Sequence, residues 1–263
     1  MKSLQEILGS CRIVVVEPDA NPFRINGRRF EKLLQRHEID RVQRFRGGVY
    51  VDDGAIPVTT LDETGRHASE FDHRCHHILI VDASDQIRAS VRVGFYLKPV
   101  EPEELELWRL VETLEPAHGA RVRRLLAIHL ERAFRERGSL IEVGGFALES
   151  GIRRSGKALV LAAACWSITR VLAPSLGVAI VTERHGFNRL LTRLGGFPID
   201  GALGLRDASR NGNPGAKFFS SLHNCTVELL GFDTWQADSQ IESLVNTISG
   251  ILASTTTVPS NVT

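Results

Sequence analysis

The hydrophobic positions alternate between short β-branched runs and longer stretches with helical spacing. Apolar runs bounded by turn residues predict strands at 11–17, 76–82, 87–95, 140–148, 177–182, 217–223 and 226–232. Apolar residues recurring every three or four positions predict helices at 27–38, 102–115, 121–137, 156–172, 187–194 and 239–252. Because strands and helices are mixed along the chain, we expect an α/β or α+β fold with one central sheet.

Two stretches lack either periodicity. Residues 47–69 hold four glycines and a proline among polar residues, which predicts a loop, and the polar tail after residue 252 predicts disorder. We therefore divide the chain into an N-terminal extension packed on the core (1–40), a main domain (41–235) and a C-terminal helix with a disordered tail (236–263).

Composition narrows the classes of protein. The chain has 263 residues, 43% of them hydrophobic, and a formal net charge of +1, so it can bury a core but has no overall basic field for nucleic acid. It contains no uninterrupted apolar run of about 18–20 residues, so no membrane span is predicted. Four cysteines without a CxxC motif, and an N-terminus unlike a signal peptide, indicate a cytoplasmic protein with reduced thiols.

A histidine-rich stretch first suggests a metal site. His73, Cys75, His76 and His77 lie within five residues. In a strand, however, neighbouring side chains point to opposite faces, so His76 and His77 cannot readily grip one ion. No second cluster supplies further ligands at a suitable spacing, so we expect His76 or His77 to pack in the core and predict no metal.

The segment at 140–158 carries the clearest chemistry. Gly144-Gly145 inside a predicted strand indicates a β-bulge, which would free backbone N–H groups for a carbonyl oxygen. The basic turn at 153–157 before an apolar helix resembles an anion site, because the helix dipole and N–H groups converge there. The alternative is an ordinary basic surface loop after a strand that tolerates glycine.

Several motifs resemble one enzyme family when taken in order. Arg153-x-x-Gly156-x-Ala158 resembles the pyrophosphate loop of GNAT-superfamily acyltransferases, and "VAIVTERHGFNRLLTRLGGF" is similar to the following strand and helix. "FRGGVYVDDG", "EFDHRCHHILIVD", "IRASVRV" and "IEVGGFAL" are similar to motifs of the acyl-homoserine-lactone synthases and the long-chain N-acyl amino acid synthases. The resemblance spans residues 41–197 and implies a GNAT-like fold, with a central mixed twisted sheet and helices on both faces.

The resemblance also implies a reaction, in which an acyl group passes from a phosphopantetheine thioester to an amine. The expected partners are an acyl carrier protein, or CoA in its place, and a small-molecule amine acceptor. The backbone at the bulge would stabilise the oxyanion beside the base, which assigns catalytic positions to Glu142, Gly144, Gly145 and Phe146. Phosphopantetheine-binding positions are assigned to Arg153, Arg154, Gly156, Lys157 and Ala158.

A charged cluster is implied on the acceptor side, formed by Arg46, Asp72 and Arg92 with Glu142. An amino acid carries a carboxylate that suits arginine and an ammonium that suits a carboxylate, and Glu142 is the candidate base. The alternative is a structural network that holds the preceding loop to the sheet. Arginines of the helix at 121–137 offer either a docking face for the acidic carrier or an ordinary solvated surface.

Two departures from the family pattern leave alternatives open. Gly145 stands where the family usually has an arginine, and no tyrosine general acid is visible near His185 or Thr192. Gly145 and the longer N-terminal section fit a lactone synthase less well, so we prefer an amino acid acceptor to S-adenosylmethionine, with a long-chain fatty acyl group as the expected donor group. The alternatives are a lactone synthase using S-adenosylmethionine, a CoA-dependent acetyltransferase, and a catalytically inactive module that binds an acyl ligand or a partner, which both departures favour.

Overall fold

The computed structural model describes most of the chain. The described residues are 3–18, 32–114, 116–173, 175–182, 186–199, 217–220, 225–236 and 239–255. The start of the helix predicted at 27–38 and the end of the strand predicted at 217–223 lie outside these ranges. The predicted disordered tail beyond residue 255 also lies outside them.

Eight strands form one sheet within the described part of the chain. They are β1 (Arg12–Val16), β2 (His76–Val81), β3 (Ile87–Tyr96), β4 (Leu140–Leu148), β5 (Leu176–Thr182), β6 (Phe197–Pro198), β7 (Lys217–Ser220) and β8 (Cys225–Asp233). The order is β1-β2-β3-β4-β5-β8-β6, with β7 also paired to β8. The β4–β5 pair is parallel and the other pairs are antiparallel, which confirms the predicted mixed sheet.

The helices surround this sheet. They are α1 (Leu4–Leu8), α2 (Lys32–Asp52), α3 (Trp108–Val111), α4 (Pro116–Arg137), α5 (Lys157–Leu172), α6 (Phe187–Arg193) and α7 (Ser239–Thr255). No described helix combines the length and the apolar character needed to cross a bilayer.

Both faces of the sheet are covered, as predicted. On one face, α5 and α7 pack on alternate strand residues such as Ile80 and Val93, in the cluster that also buries Trp166. On the other face, α4 and the segment before it pack on Leu140 and Val178. A third cluster lies beneath α2. The alternation of strand side chains between the faces therefore decides which residues reach α2 and α4.

The loop predicted at 47–69 is wrong in its first part. Helix α2 continues through Gly47 and Gly48 to Asp52. A Cβ at Gly47 would lie 2.9 Å from Leu61 and 3.1 Å from the backbone nitrogen of His67. This glycine therefore allows the following loop to approach the helix and does not end it.

The acidic helix predicted at 102–115 is also wrong. The chain instead forms a 3₁₀ turn at Pro102–Glu104 and the short helix α3. The backbone N–H groups of Glu106 and Leu107 donate to the Glu142 carboxylate at 3.0 and 2.6 Å. Because Glu142 takes these donors, the chain is held in a different course between the turn and α3.

Candidate functional site

The β4 strand carries a bulge at its two glycines. Gly144 lies opposite Arg92, but Ala147 lies opposite Ser90, so β4 has one residue more than β3 between these pairs. Gly145 has φ +62°, a left-handed conformation that favours glycine. The bulge expected from the sequence is present at this position.

Immediately before the bulge, β4 separates from β5. In the described residues the two strands pair only from Leu140–Leu176 to Glu142–Val178. The rings of Phe146 in β4 and Phe187 in α6 stack near this opening, with centroids 3.8 Å apart. The edge of β4 that faces β5 is therefore not paired with it from Val143 onward, which suits an approaching carbonyl oxygen.

Asp72 is the centre of a buried ionic cluster on the α2 face. Its Oδ1 accepts from Arg46 at 2.9 Å and from Arg92 at 2.6 Å. Its Oδ2 accepts from Arg46, from the Gln43 amide and from the Ser69 backbone N–H at 2.7, 2.8 and 3.1 Å. Five donors thus occupy a carboxylate that offers about four lone-pair sites.

The pKa of Asp72 reflects these contacts. Burial alone would raise it, but hydrogen bonding to Arg46 and the charges of Arg46 and Arg92 outweigh burial and hold it far below its usual range. The cluster therefore contains a permanently ionised carboxylate with no exposed surface. This geometry supports the structural alternative for Asp72, in which it ties α2 to the sheet, and its role in acceptor binding stays a prediction.

Glu142 lies on the same face of the sheet as Arg92. Tyr96 donates its hydroxyl to the Glu142 carboxylate at 2.8 Å, in addition to the backbone donors of Glu106 and Leu107. Burial raises the pKa of Glu142, against the opposing effect of the Leu107 and Tyr96 hydrogen bonds. A raised pKa brings this carboxylate closer to the range useful for proton transfer.

Glu106 is a member of the cluster that sequence reasoning missed. Its carboxylate forms an ion pair with Arg92 and accepts from the Ser69 hydroxyl at 2.7 Å. A Cβ at Gly144 would lie 3.9 Å from Glu106 Oε2, so this carboxylate sits beside the bulge. The sequence predicted an acidic helix around Glu106, and only the fold brings this residue to Arg92.

The structure explains how glycine is accommodated where the family usually has arginine. A Cβ at Gly145 would lie 3.2 Å from Arg46 Nη1 and 3.7 Å from Arg46 Cδ. The buried side chain of Arg46, delivered by α2, thus lies where a side chain at position 145 would begin. A guanidinium is present beside the bulge although it comes from another element.

The basic turn is largely held by the chain itself. Arg153 donates to Asp53 at 2.5 Å and to the Leu148 carbonyl, and Lys157 donates to the Ile7 carbonyl at 3.1 Å. Gly156 has φ +83° and a Cβ there would lie 3.3 Å from the Ile7 side chain, so α1 packs against the N-terminus of α5. Arg154 is exposed and Ala158 packs on the core. Phosphate binding by these residues stays a prediction.

Two of the three histidines in the 73–77 stretch, His76 and His77, pack in the interior. His77 contacts the Asp72 carbonyl at 2.9 Å, and His76 lies edge-on to Phe95 on the other face. Burial lowers the pKa of His76 to about 3 and that of His77 to about 4, so both are neutral at pH 7. His73 is exposed.

Two cavities flank the 3₁₀ turn at Glu70–Arg74. One, of about 620 Å³, is lined by Asp40, Gln43, Arg66, Ala68, Ser69, Glu70 and His73. The other, of about 500 Å³, has Tyr96, Leu105 and Trp108 in its wall. Through Gln43 and Ser69, which contact Asp72 and Glu106, the first cavity reaches the ionic cluster.

Thr192 and His185 are the two positions where the sequence analysis looked for a general acid. Thr192 donates its hydroxyl to the Asn188 carbonyl at 2.9 Å, and His185 lies outside the described residues.

In α4, Arg123, Arg132, Arg135 and Arg137 pair with carboxylates of this chain. The pairs of Arg123, Arg132 and Arg135 are at least partly exposed, as on a solvated helix face, whereas Arg137 pairs with the buried Asp233. Docking of a carrier protein on α4 stays a prediction.

Comparison with known proteins finds similarity in structure. No protein-family model and no curated protein sequence matches the chain. The structure of MesI, a CoA-dependent acyl-homoserine lactone synthase, is 13% identical and covers 91% of this chain and 95% of its own, with a TM-score of 0.51. That of BjaI, another CoA-dependent acyl-homoserine lactone synthase, with SAM and isopentyl-CoA, is 12% identical and covers 83% and 85%, with a TM-score of 0.50.

A third neighbour belongs to the other group that the motifs suggested. FeeM, an N-acyl amino acid synthase from uncultured soil microbes, is 12% identical and covers 89% of this chain and 98% of its own, with a TM-score of 0.50. At such identities the likeness concerns the fold. The chain therefore has the GNAT-like fold of the acyl-homoserine lactone synthases and of this N-acyl amino acid synthase, as its motifs predicted.

Proposed function

We propose that the protein is an N-acyltransferase that moves a fatty acyl group from a phosphopantetheine thioester to the amine of an amino acid-type metabolite. The observation that carries this proposal is the bulge at Gly145, where β4 leaves β5 directly beside a buried ionic cluster. Such an opening offers unpaired backbone N–H groups to a thioester carbonyl, with charged groups a few ångströms away. The GNAT-like fold supports the same reaction type.

The donor would bind along the opening between β4 and β5. Backbone N–H groups at Gly144, Gly145 and Phe146 would polarise the thioester carbonyl, and the N-terminus of α5 would face the phosphate. Lys157 would exchange its contact with the Ile7 carbonyl for the phosphate. Arg154, which is exposed, would add charge at the entrance.

The acceptor would react as a free amine. An ammonium first loses one proton, which Glu142 or a water beside it accepts. The amine nitrogen then forms a bond to the thioester carbon, the C–S bond breaks, and the thiolate leaves with one proton to become a thiol. The products are an amide and free phosphopantetheine thiol, with one proton released to solvent overall. Tyr96, bound to Glu142, would hold that carboxylate in place.

The thioester carrier is part of the proposal. MesI and BjaI are CoA-dependent synthases, and we extend the proposal from CoA to acyl carrier protein thioesters. The decisive experiment incubates the protein with long-chain acyl carrier protein, long-chain acyl-CoA or acetyl-CoA, each with pooled amino acids or S-adenosylmethionine. Mass spectrometry then detects the acyl amide or lactone, and a thiol reagent measures released thiol.

The outcomes separate the alternatives. An acyl amino acid with one equivalent of thiol supports the proposal, and Glu142→Gln should lower its rate at least about tenfold. A lactone would select the S-adenosylmethionine alternative, and a product from acetyl-CoA alone would select an acetyltransferase. Thiol without an amide would indicate thioester hydrolysis. The absence of amide, lactone and thiol would contradict the proposal of an enzyme of this class.

A second candidate is a non-catalytic module that binds an acyl ligand or a partner. The packing of Ile7 against Gly156 and the Lys157 contact favour it, because both fill the expected phosphate position. Calorimetric titration with a non-hydrolysable acyl-phosphopantetheine analogue would show binding under this candidate, while the assay above would show no amide.

A further inference from the structure

We propose that Glu106 binds the ammonium group of the acceptor, which makes a protonated primary amine the ligand recognised beside Ser69, a residue that lines the 620 Å³ cavity and donates to the Glu106 carboxylate. This inference rests on the proposed acyl transfer and assigns the acceptor contact within it. The acceptor ammonium is thereby assigned to Glu106, which the motifs did not indicate, and not to Asp72 or Glu142.

The three carboxylates of the cluster differ in their remaining capacity to accept hydrogen bonds. Asp72 has five donors for about four lone-pair sites and is fully buried. Glu142 has three donors and is 8% exposed. Glu106 receives one hydrogen bond from Ser69 and one ion pair from Arg92, and its side chain is 20% exposed. It is therefore the member best able to take another N–H donor.

Glu106 is also correctly placed for the reaction. Its Oε2 lies 3.9 Å from a Cβ built at Gly144, where the thioester carbonyl is proposed to bind. An ammonium bound to Glu106 would lie beside the bulge and, after losing a proton, could reach the carbonyl carbon. The backbone N–H of the same residue donates to Glu142, so the ammonium-binding group and the proposed base are rigidly linked.

The surroundings hold this carboxylate in one orientation. Arg92 binds one oxygen, and Ser69, in the cavity wall, binds the other. Ser69 caps the 3₁₀ turn that carries Asp72, so its own position is fixed by the Phe71 and Asp72 backbone. A small amine that reaches the exposed fifth of the Glu106 side chain, next to Ser69, would therefore meet a charged and oriented acceptor group.

The test compares Glu106→Gln with Ser69→Ala and with a matched control, Glu104→Gln. Glu104 is a nearby carboxylate that accepts from the Glu101 backbone and contacts no member of the cluster. Glu106→Gln should raise the acceptor KM about 10- to 100-fold, as expected for the loss of a charge-assisted hydrogen bond, and leave the donor KM unchanged. Ser69→Ala should raise the acceptor KM less, and Glu104→Gln should match the wild type.

The pH dependence distinguishes binding from a structural role. Because a neutral amine lacks the attraction to a carboxylate, the KM ratio between Glu106→Gln and wild type should shrink as pH rises through the pKa of the acceptor amine. A pH-independent loss, or a loss in kcat alone, would overturn the inference. If Glu106→Gln melts earlier than wild type, Ser69→Ala, which keeps every charge, carries the test. If Glu106→Gln and Ser69→Ala both form amide with an unchanged acceptor KM, ammonium binding by Glu106 is refuted and the proposed function stands. If the wild type forms no amide, the proposed function itself is refuted.

Discussion

Replacing Asp72 by asparagine should strongly destabilise the protein. The substitution keeps the shape of the side chain but removes the one charge that both Arg46 and Arg92 contact inside the fold. Breaking a buried ion pair by removing one partner costs about 3–5 kcal/mol, because the remaining charge is left uncompensated. The ion pair between Arg92 and Glu106 survives, so we expect about 4 kcal/mol and not the sum of two such losses.

Urea unfolding measures this cost. Trp166 is fully buried against Phe232 and reports core unfolding by fluorescence. With an m-value of about 3 kcal/mol per M, the midpoint should fall by about 1–2 M. Glu131→Gln is the matched control, because Glu131 pairs with Arg135 in the open, at 75% and 64% exposure, and its midpoint should stay within error. Equal shifts for both variants would refute the reasoning that the cluster anchors α2.

Three further predictions follow from local geometry. Gly145→Ala should lower the free energy of unfolding by about 2 kcal/mol and reduce kcat, because it adds strain at φ +62° and a contact 3.2 Å from Arg46 Nη1. The control is Gly138→Ala, at φ +72° with open space around it, which should cost only the backbone strain. Equal urea midpoints for the two variants would contradict this prediction. The buried histidines His76, His77 and His129 of α4 have pKa values lowered by burial to about 3, 4 and 4 in the folded protein. In the unfolded chain each histidine binds a proton below about pH 6.5. The free energy of unfolding should therefore fall as the pH is lowered from about 6.5 to 4, by up to about 1.4 kcal/mol per pH unit for each histidine. A flat stability profile in that window, measured in urea, would count against it. Lys157→Gln should raise the donor KM several-fold at low salt and less at high salt, while the exposed Lys98→Gln should not; identical salt profiles would exclude phosphate binding by Lys157.

Local patterns were sufficient for the elements whose side chains alternate regularly. The strand at Leu140–Leu148 and its bulge were predictable, since two adjacent glycines weaken a strand and permit a positive φ. Helix α5 was predictable because it is apolar throughout and follows Gly156, its N-cap. These features depend on neighbours in sequence, so the sequence contains their physical cause.

Features that depend on distant partners were not predictable. The sequence predicted a loop at Gly47, but this glycine lies inside α2. It is needed because the segment at 61–67 approaches the helix there, and that contact involves residues beyond the local pattern. Glu106 was predicted only as part of an acidic helix, because its ion pair is with Arg92 on β3, which is distant in sequence. The motifs did indicate Arg46, Asp72 and Arg92, and the fold brings these three together, but it gives Asp72 no capacity for another donor.

The short parallel pairing of β4 with β5 has a mechanical consequence. Among the described residues, only three residue pairs join the part of the sheet that holds β1 to β4 to the part that holds β5 and β8. Helix α5 packs on β2, β3 and β4, and its Trp166 stacks on Phe232 of β8, so this helix contacts both parts. The two parts of the sheet are therefore joined by the short strand pairing and also through Trp166. The width of the opening between β4 and β5 thus depends on how α5 packs as well as on the strands themselves.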